Sequence, residues 1–279
     1  MTASVTTSPI PASGAPSPAA GAEPILLRDV SGGVATLTLN RPKQYNALSE
    51  EMLAALTAAF EDLATRDDLR AVVLAAEGKA FCAGHDLKQM RANPDRDYYQ
   101  RLFESCSAMM LAILRLPVPV IAKVHGIATA AGCQLVGTCD MAIASKDAKF
   151  ATSGINVALF CSTPAVALSR NVPRKPAFEM LMTGDFVDAA TAAELGLINR
   201  AVPAAGLDAA VDALLEKLLA KSPVAIRTGK QMFYRQLEMG IEDAYRYAGE
   251  TMACNMMAED TGEGIDAFIE KRNAVWRGR

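Results

Sequence analysis

What this sequence lacks narrows its chemistry. In 279 residues there are only two histidines, His85 and His125, and six cysteines, none of them in a Cys-x-x-Cys pair. A zinc site or a disulfide framework is therefore not expected, and scattered free thiols point to a reducing compartment, here taken as cytoplasmic. No apolar run approaches the roughly 20 residues that a membrane span requires, so none is expected. Lys+Arg 28 against Asp+Glu 31, with no dense basic stripe, argues against nucleic acid as a partner. Neither a Gly-x-Gly-x-x-Gly nor a phosphate-binding Gly-x-x-x-x-Gly-Lys-Ser/Thr stretch occurs, which removes the nucleotide-cofactor readings. No metal or redox cofactor is implied.

What is present divides the chain into three. Residues 1–22 are almost entirely Ala, Pro, Ser, Thr and Gly, without lysine or arginine, and read as a disordered tail. Residues 23–205 read as an α/β core. Val34 to Asn40 alternates apolar residues with Thr and ends at Arg41-Pro42, which predicts a strand. Ser49 is a plausible N-cap for a helix with Met52, Leu53, Leu56, Phe60 and Leu63 on one face. Ala71 to Ala76 is a continuous apolar run, the pattern of a strand buried on both faces. A helix from Asp97 to Arg115, a strand from Val118 to Val124, a short helix after Ala131 and a strand near Met141 to Ala144 continue the alternation. Repeated strand and helix units imply parallel pairing.

From residue 206 to 279 the strands stop. Helices are predicted over Leu207–Ala220, Val224–Glu238, Ile241–Met257 and Gly264–Asn273, the second opening with Ser222 as cap and Pro223 in its first turn. Met252, Met256 and Met257 are expected to fill gaps, on the chain's own core or against a neighbouring subunit.

Two segments carry the chemistry. Lys79-Ala80-Phe81-Cys82-Ala83-Gly84-His85-Asp86-Leu87-Lys88 holds a glycine turn able to leave successive amides free. Gly126-Ile127-Ala128-Thr129-Ala130-Ala131-Gly132-Cys133-Gln134 sets small residues before a helix N-terminus, where free N–H groups and the dipole favour negative charge. Each alone is equally consistent with an ordinary loop or with tight helix packing.

Together with Asn40-Arg41-Pro42-Lys43, Asn46-Ala47-Leu48, Leu116 to Ala122, Cys139-Asp140, Ala148-Lys149-Phe150, Met182-Thr183-Gly184 and Ala267 to Arg272, these segments resemble the crotonase superfamily, also called the enoyl-CoA hydratase/isomerase family. The resemblance runs from about Ile25 to the C-terminus. It implies a crotonase-like ββα spiral of two stacked sheets, followed by a C-terminal helical trimerisation region that assembles homotrimers or homohexamers. It also implies an acyl-CoA thioester as ligand. The backbone N–H groups of His85 and Ala131 would hold the thioester oxygen. His85, Asp86, Leu87 and Lys88 would run along the pantetheine and adenine, Lys43 would lie near the phosphates, and Phe268 and Lys271 would reach across from a neighbouring subunit.

Hydratases of the family hold two glutamates, one after Gly-Cys in the second loop and one four residues after Lys-Phe. This chain has Gln134 and Gly154 at those places. Gln134 can orient a water but cannot exchange its proton near neutral pH, and each positioned acid or base contributes about 10²- to 10⁴-fold. His85, Gln134, Thr152, Ser153, Asn156, Cys161 and Ser162 are the candidate replacements near the acyl site. His85 has the ordinary pKa for acid–base work, while His125 reads as structural. The run Asn156 to Pro164 lacks the family's glycine-rich stretch. It resembles the branch containing the mitochondrial enoyl-CoA hydratase-domain-containing paralogues of animals and their bacterial relatives. The expected function is an enoyl-CoA hydratase/isomerase-type lyase acting through a backbone oxyanion hole. The alternatives are a non-catalytic acyl-CoA carrier or sensor, and a structural partner.

Overall fold

Three times along this chain a strand is followed by a shorter strand and then by helix, and this repeat builds two sheets at once. The computed structural model describes residues 23–279; the segment read as a disordered tail lies outside the described residues. The chain opens with β1 (Leu26–Ser31) and β2 (Val34–Leu39), an antiparallel hairpin turned by Gly32 and Gly33, both at positive φ. Then come α1 (Glu50–Ala64), β3 (Ala71–Ala76), β4 (Ala80–Cys82), α2 (Leu87–Ala92), α3 (Arg96–Arg115), β5 (Val120–Val124), β6 (Ile127–Thr129), α4 (Ala131–Thr138), β7 (Met141–Ser145) and β8 (Lys149–Ala151). They are followed by α5 (Ser162–Asn171), α6 (Arg174–Thr183), β9 (Val187–Asp188), α7 (Ala189–Glu194) and β10 (Arg200–Val202).

The first sheet has the order β1-β2-β3-β5-β7-β10 and is parallel from β2 onward. The second has the order β4-β6-β8-β9, with β4, β6 and β8 parallel. Each turn of the spiral thus gives one strand to each sheet. A single apolar core joins them, with Leu74, Val124, Phe81 and Phe150 all buried in it. The expected strand over Ala71–Ala76 is β3, shielded on both faces. Ser49 caps α1 as expected, its Oγ accepting from the Met52 amide at 3.3 Å, a bond worth about 1 kcal/mol.

Beyond β10 all regular structure is helical: α8 (Leu207–Leu219), α9 (Pro223–Leu237), α10 (Ile241–Met256) and α11 (Glu259–Glu270). The last helix starts and ends earlier than the sequence pattern predicts. Ala258 opens it without a side-chain cap, so no polar residue marks its start. Lys230 of α9 ties this region to the core. Its ammonium donates to Ile113 O and Val118 O, both at 2.9 Å, and to Asp140 Oδ2 at 2.7 Å. Tyr234, one turn on, donates to Asp140 Oδ1 at 2.8 Å, and the Val120 amide donates to Oδ2 at 2.6 Å. Met252, Met256 and Met257 stay exposed in the single chain, beside exposed Ile241, Tyr245, Phe268 and Ile269. They do not pack on the chain's own core.

Candidate functional site

Parallel pairing of β4 with β6 sets the ends of the two predicted loops side by side. After β4 the chain turns at Gly84, whose φ of +89° suits glycine. The approach is close, because a Cβ at Gly84 would fall 2.9 Å from Ala130 Cβ and 3.1 Å from Ala131 N. After β6, Ala130 takes a positive φ of 51° and swings directly into α4. Gly132 is fixed by packing, since a Cβ there would lie 2.1 Å from Cys82 O. The small residues of the second loop therefore serve tight helix-on-strand packing as well as an open backbone.

Two amides of this pair of loops, those of His85 and Ala131, are unmatched among the described residues. Ala131 is the first residue of α4, where an N–H has no carbonyl four residues back. The Ala130 amide goes to Ala151 O at 2.9 Å and the Gln134 amide returns to Ala130 O at 3.1 Å, but the His85 and Ala131 amides are matched to no acceptor among the described residues. Neither Ala130 before α4 nor Cys161 before α5 offers a side-chain cap, whereas Ser49, Asp86 and Asp95 cap α1, α2 and α3 nearby.

These two uncapped helix starts open on one cavity of ≈ 270 Å³. Its wall includes His85, Leu87, Met90, Phe103, Ala130 and Ala131 on one side and Ser153, Gly154, Val157, Leu159, Phe160 and Cys161 on the other. Among the described residues, no Asp, Glu, Lys or Arg lines it. Its two titratable groups are both held uncharged near neutral pH. Burial pushes the His85 pKa below its ordinary value, only partly opposed by the Leu48 carbonyl, and burial pushes the Cys161 thiol up. Neither ring nitrogen of His85 has a hydrogen-bond partner, and the ring meets Phe103 edge-on at 5.4 Å.

Gln134 and Gly154, the positions where the resemblance leads one to expect glutamates, are differently placed. Gln134 is buried in α4 with Oε1 unpartnered, and it does not line the cavity. Gly154 does line it, but the segment after it folds back, with the Leu159 amide donating to Gly154 O at 3.0 Å. A Cβ at Gly154 would lie 2.5 Å from Leu159 O and 2.8 Å from Cys161 Sγ.

Of the other expected site residues, Leu87 lines the cavity and Lys88 is exposed beside it. Asp86 is engaged in structure: its carboxylate caps α2, accepting from Lys88 N at 3.1 Å, and lies 3.7 Å from Arg41. Lys43, Phe268 and Lys271 are exposed and do not line the cavity of a single chain. Among the candidate replacements, Ser153 and Ser162 line the cavity, Thr152 is spent on Met180 O at 2.8 Å, and Asn156 is outside the lining. His125 is structural as expected, with Nε2 2.9 Å from Gly78 O. Met90 and Phe103 were not singled out in the sequence, and Leu159 and Phe160 only as part of the run Asn156 to Pro164; their helical or loop positions carry no signal distinguishing a cavity wall from core.

Comparison with known proteins bears on this geometry. The sequence model of the enoyl-CoA hydratase/isomerase family matches residues 29–279. Rat enoyl-CoA hydratase domain-containing protein 3, described as mitochondrial, is 45% identical over 244 residues, covering 88% of this chain and 81% of the rat protein. The crystal structure of an enoyl-CoA hydratase from Mycobacterium smegmatis superposes with a TM-score of 0.90 at 63% identity, over 91% of this chain and 99% of that one. The human enoyl-CoA hydratase domain-containing protein 3 structure gives 0.88 at 43% identity, over 91% and 100%.

Proposed function

The chain belongs to the enoyl-CoA hydratase/isomerase family, and from that membership we propose that it binds an acyl-CoA thioester, with the thioester oxygen held by the His85 and Ala131 amides. The observation that carries this reading is the contact of Gly84 with Ala131, which brings two unmatched amides together on an apolar cavity. Removing one oxyanion donor costs about 10²- to 10³-fold in such sites, and a main-chain donor is indifferent to its own side chain. The uncapped starts of α4 and α5 add two positive dipole ends where an enolate oxygen would carry charge. The reaction class supported is enolate chemistry on a neutral acyl group.

Hydration by a carboxylate pair is not part of this reading, because no carboxylate lines the cavity. That observation favours a second reading, an acyl-CoA carrier or sensor. The two are separated by calorimetric titration with saturated and 2-enoyl-CoA thioesters, then mass analysis after prolonged incubation. Binding with a product 18 mass units heavier marks a hydratase; binding without chemical change marks a carrier; no binding removes both.

Assembly into trimers or hexamers belongs to the same proposal, supported by the exposed apolar residues of α10 and α11, Phe268 included. A monomer in sedimentation would overturn it. Among the described residues no helix is long and apolar enough to cross a membrane. The six free cysteines support a reducing compartment, which the cytoplasm is.

A further inference from the structure

We propose that the His85 imidazole is the acid–base group of this cavity, removing a proton from the α-carbon of the bound acyl thioester and returning one to it. This rests on the thioester reading above and goes beyond it, since the binding role of His85 uses only its backbone amide. Three observations on the molecule carry the inference. First, among the described residues the cavity wall contains no carboxylate and no other side chain able to take up a proton near neutral pH except Cys161, whose thiol burial disfavours ionising. Second, both ring nitrogens of His85 are buried without a partner, an arrangement that costs stability and that a native fold retains where the group has a use. Third, the ring belongs to the same residue whose amide would polarise the carbonyl, so base and oxyanion donor are tethered to one α-carbon.

The proton balance closes without any further reactant. The α-carbon–hydrogen bond breaks and its electron pair becomes the second bond of the enolate. The carbonyl π pair moves onto oxygen beside the two amides, and the proton forms an N–H bond on His85. Reversal restores the thioester. The neutral ring has one nitrogen that donates and one that accepts. With neither ring nitrogen held by an acceptor among the described residues, no contact fixes the tautomer, and the unprotonated nitrogen serves as the base. A half-turn about Cβ–Cγ exchanges ring nitrogens with ring carbons while the outline of the ring stays the same, so the nitrogen can face the cavity without repacking Phe103. The adjacent charged residue, Asp86, lies 3.7 Å from Arg41, the exposed Lys88 stays outside the lining, and Cys161 is the other titratable residue on the wall.

The test uses the full chain with hexanoyl-CoA in heavy water, following deuterium uptake at the α-carbon by mass, with calorimetry on the same samples. The wild type is expected to bind and to exchange one α-hydrogen, the one facing His85, with a rate that holds as pH falls through 6.5 and declines only below it, because a base of lowered pKa stays unprotonated there. His85→Gln and His85→Asn are expected to slow exchange about 100-fold or more while Kd changes far less. Binding without exchange by the wild type overturns the inference and leaves the thioester reading standing. So does exchange in either folded variant within about threefold of the wild type. Absence of binding overturns both.

Discussion

Buried polar groups are treated in opposite ways at two places in this molecule. Where α9 meets the core, Lys230 spends all three ammonium hydrogens on Ile113 O, Val118 O and Asp140, while Asp140 accepts from Lys230, Tyr234 and the Val120 amide. At the cavity, the ring nitrogens of His85 have no partner among the described residues and the His85 and Ala131 amides are unmatched, while Gln134 Oε1, buried in α4 outside the lining, is unpartnered too. A satisfied buried network holds one geometry, whereas an unsatisfied one stores an interaction for something that arrives later. The first region is built for stability and the second at stability's expense.

Four substitutions or conditions probe that contrast, the largest effect first. Lys230→Met leaves Asp140 buried with its charge uncompensated and is expected to cost about 3–5 kcal/mol in urea unfolding. A loss below about 1 kcal/mol would mean that the network contributes little. Gly154→Ala should cost about 1–3 kcal/mol by overpacking, because its methyl meets a main-chain oxygen, and should shrink the cavity enough to weaken hexanoyl-CoA binding. An unchanged unfolding midpoint would show that the segment after Gly154 yields easily. His85→Leu removes two orphaned polar atoms and is expected to raise stability by about 1 kcal/mol while abolishing α-carbon exchange. A destabilised variant would show that the ring is satisfied in solution and would erase the contrast.

The smallest effect is electrostatic and lies in the C-terminal region. Glu263 takes a two-pronged contact from Arg272, at 2.6 and 2.9 Å, which together with the Val275 amide lowers its carboxyl from 4.5 to about 2. A depressed carboxyl contributes stability above its unfolded pKa and loses it as pH falls from about 4.5 towards about 2. Trp276, the single tryptophan, donates to Ala220 O at 2.9 Å and reports on this segment. Its fluorescence should change across that window in the wild type, and Glu263→Gln should remove the change. The effect should also shrink in salt, since the pair faces solvent.

Much of the first sheet was legible in the sequence, because β2 alternates in period two and β3 is a continuous apolar run. The helices α1, α3, α8 and α9 were legible through apolar spacing and, for α1 and α9, through Ser49 and Ser222. The edge strand β1 escaped because most of its residues are exposed. The second sheet left no periodic trace: β4, β6 and β8 have three residues each and β9 two, too few to establish a period. It was anticipated only through the family resemblance. At the site, the loops were readable as motifs, but the cavity wall was not. Phe103 and Leu159 come from segments far apart in sequence, and the burial of the His85 nitrogens depends on how those segments close over them. Lys230 and Tyr234, one turn apart on α9, were equally silent, since nothing local says that a lysine will find Asp140.

The crowding at Gly154 also constrains which neighbouring sequences this protein can reach. Any side chain at that position, a carboxylate included, would meet Leu159 O and Cys161 Sγ, so a substitution that brings an acid there also moves the wall around it. Leu159 and Cys161 are themselves part of the cavity lining, so new chemistry at Gly154 and the shape of the pocket are coupled at this one position.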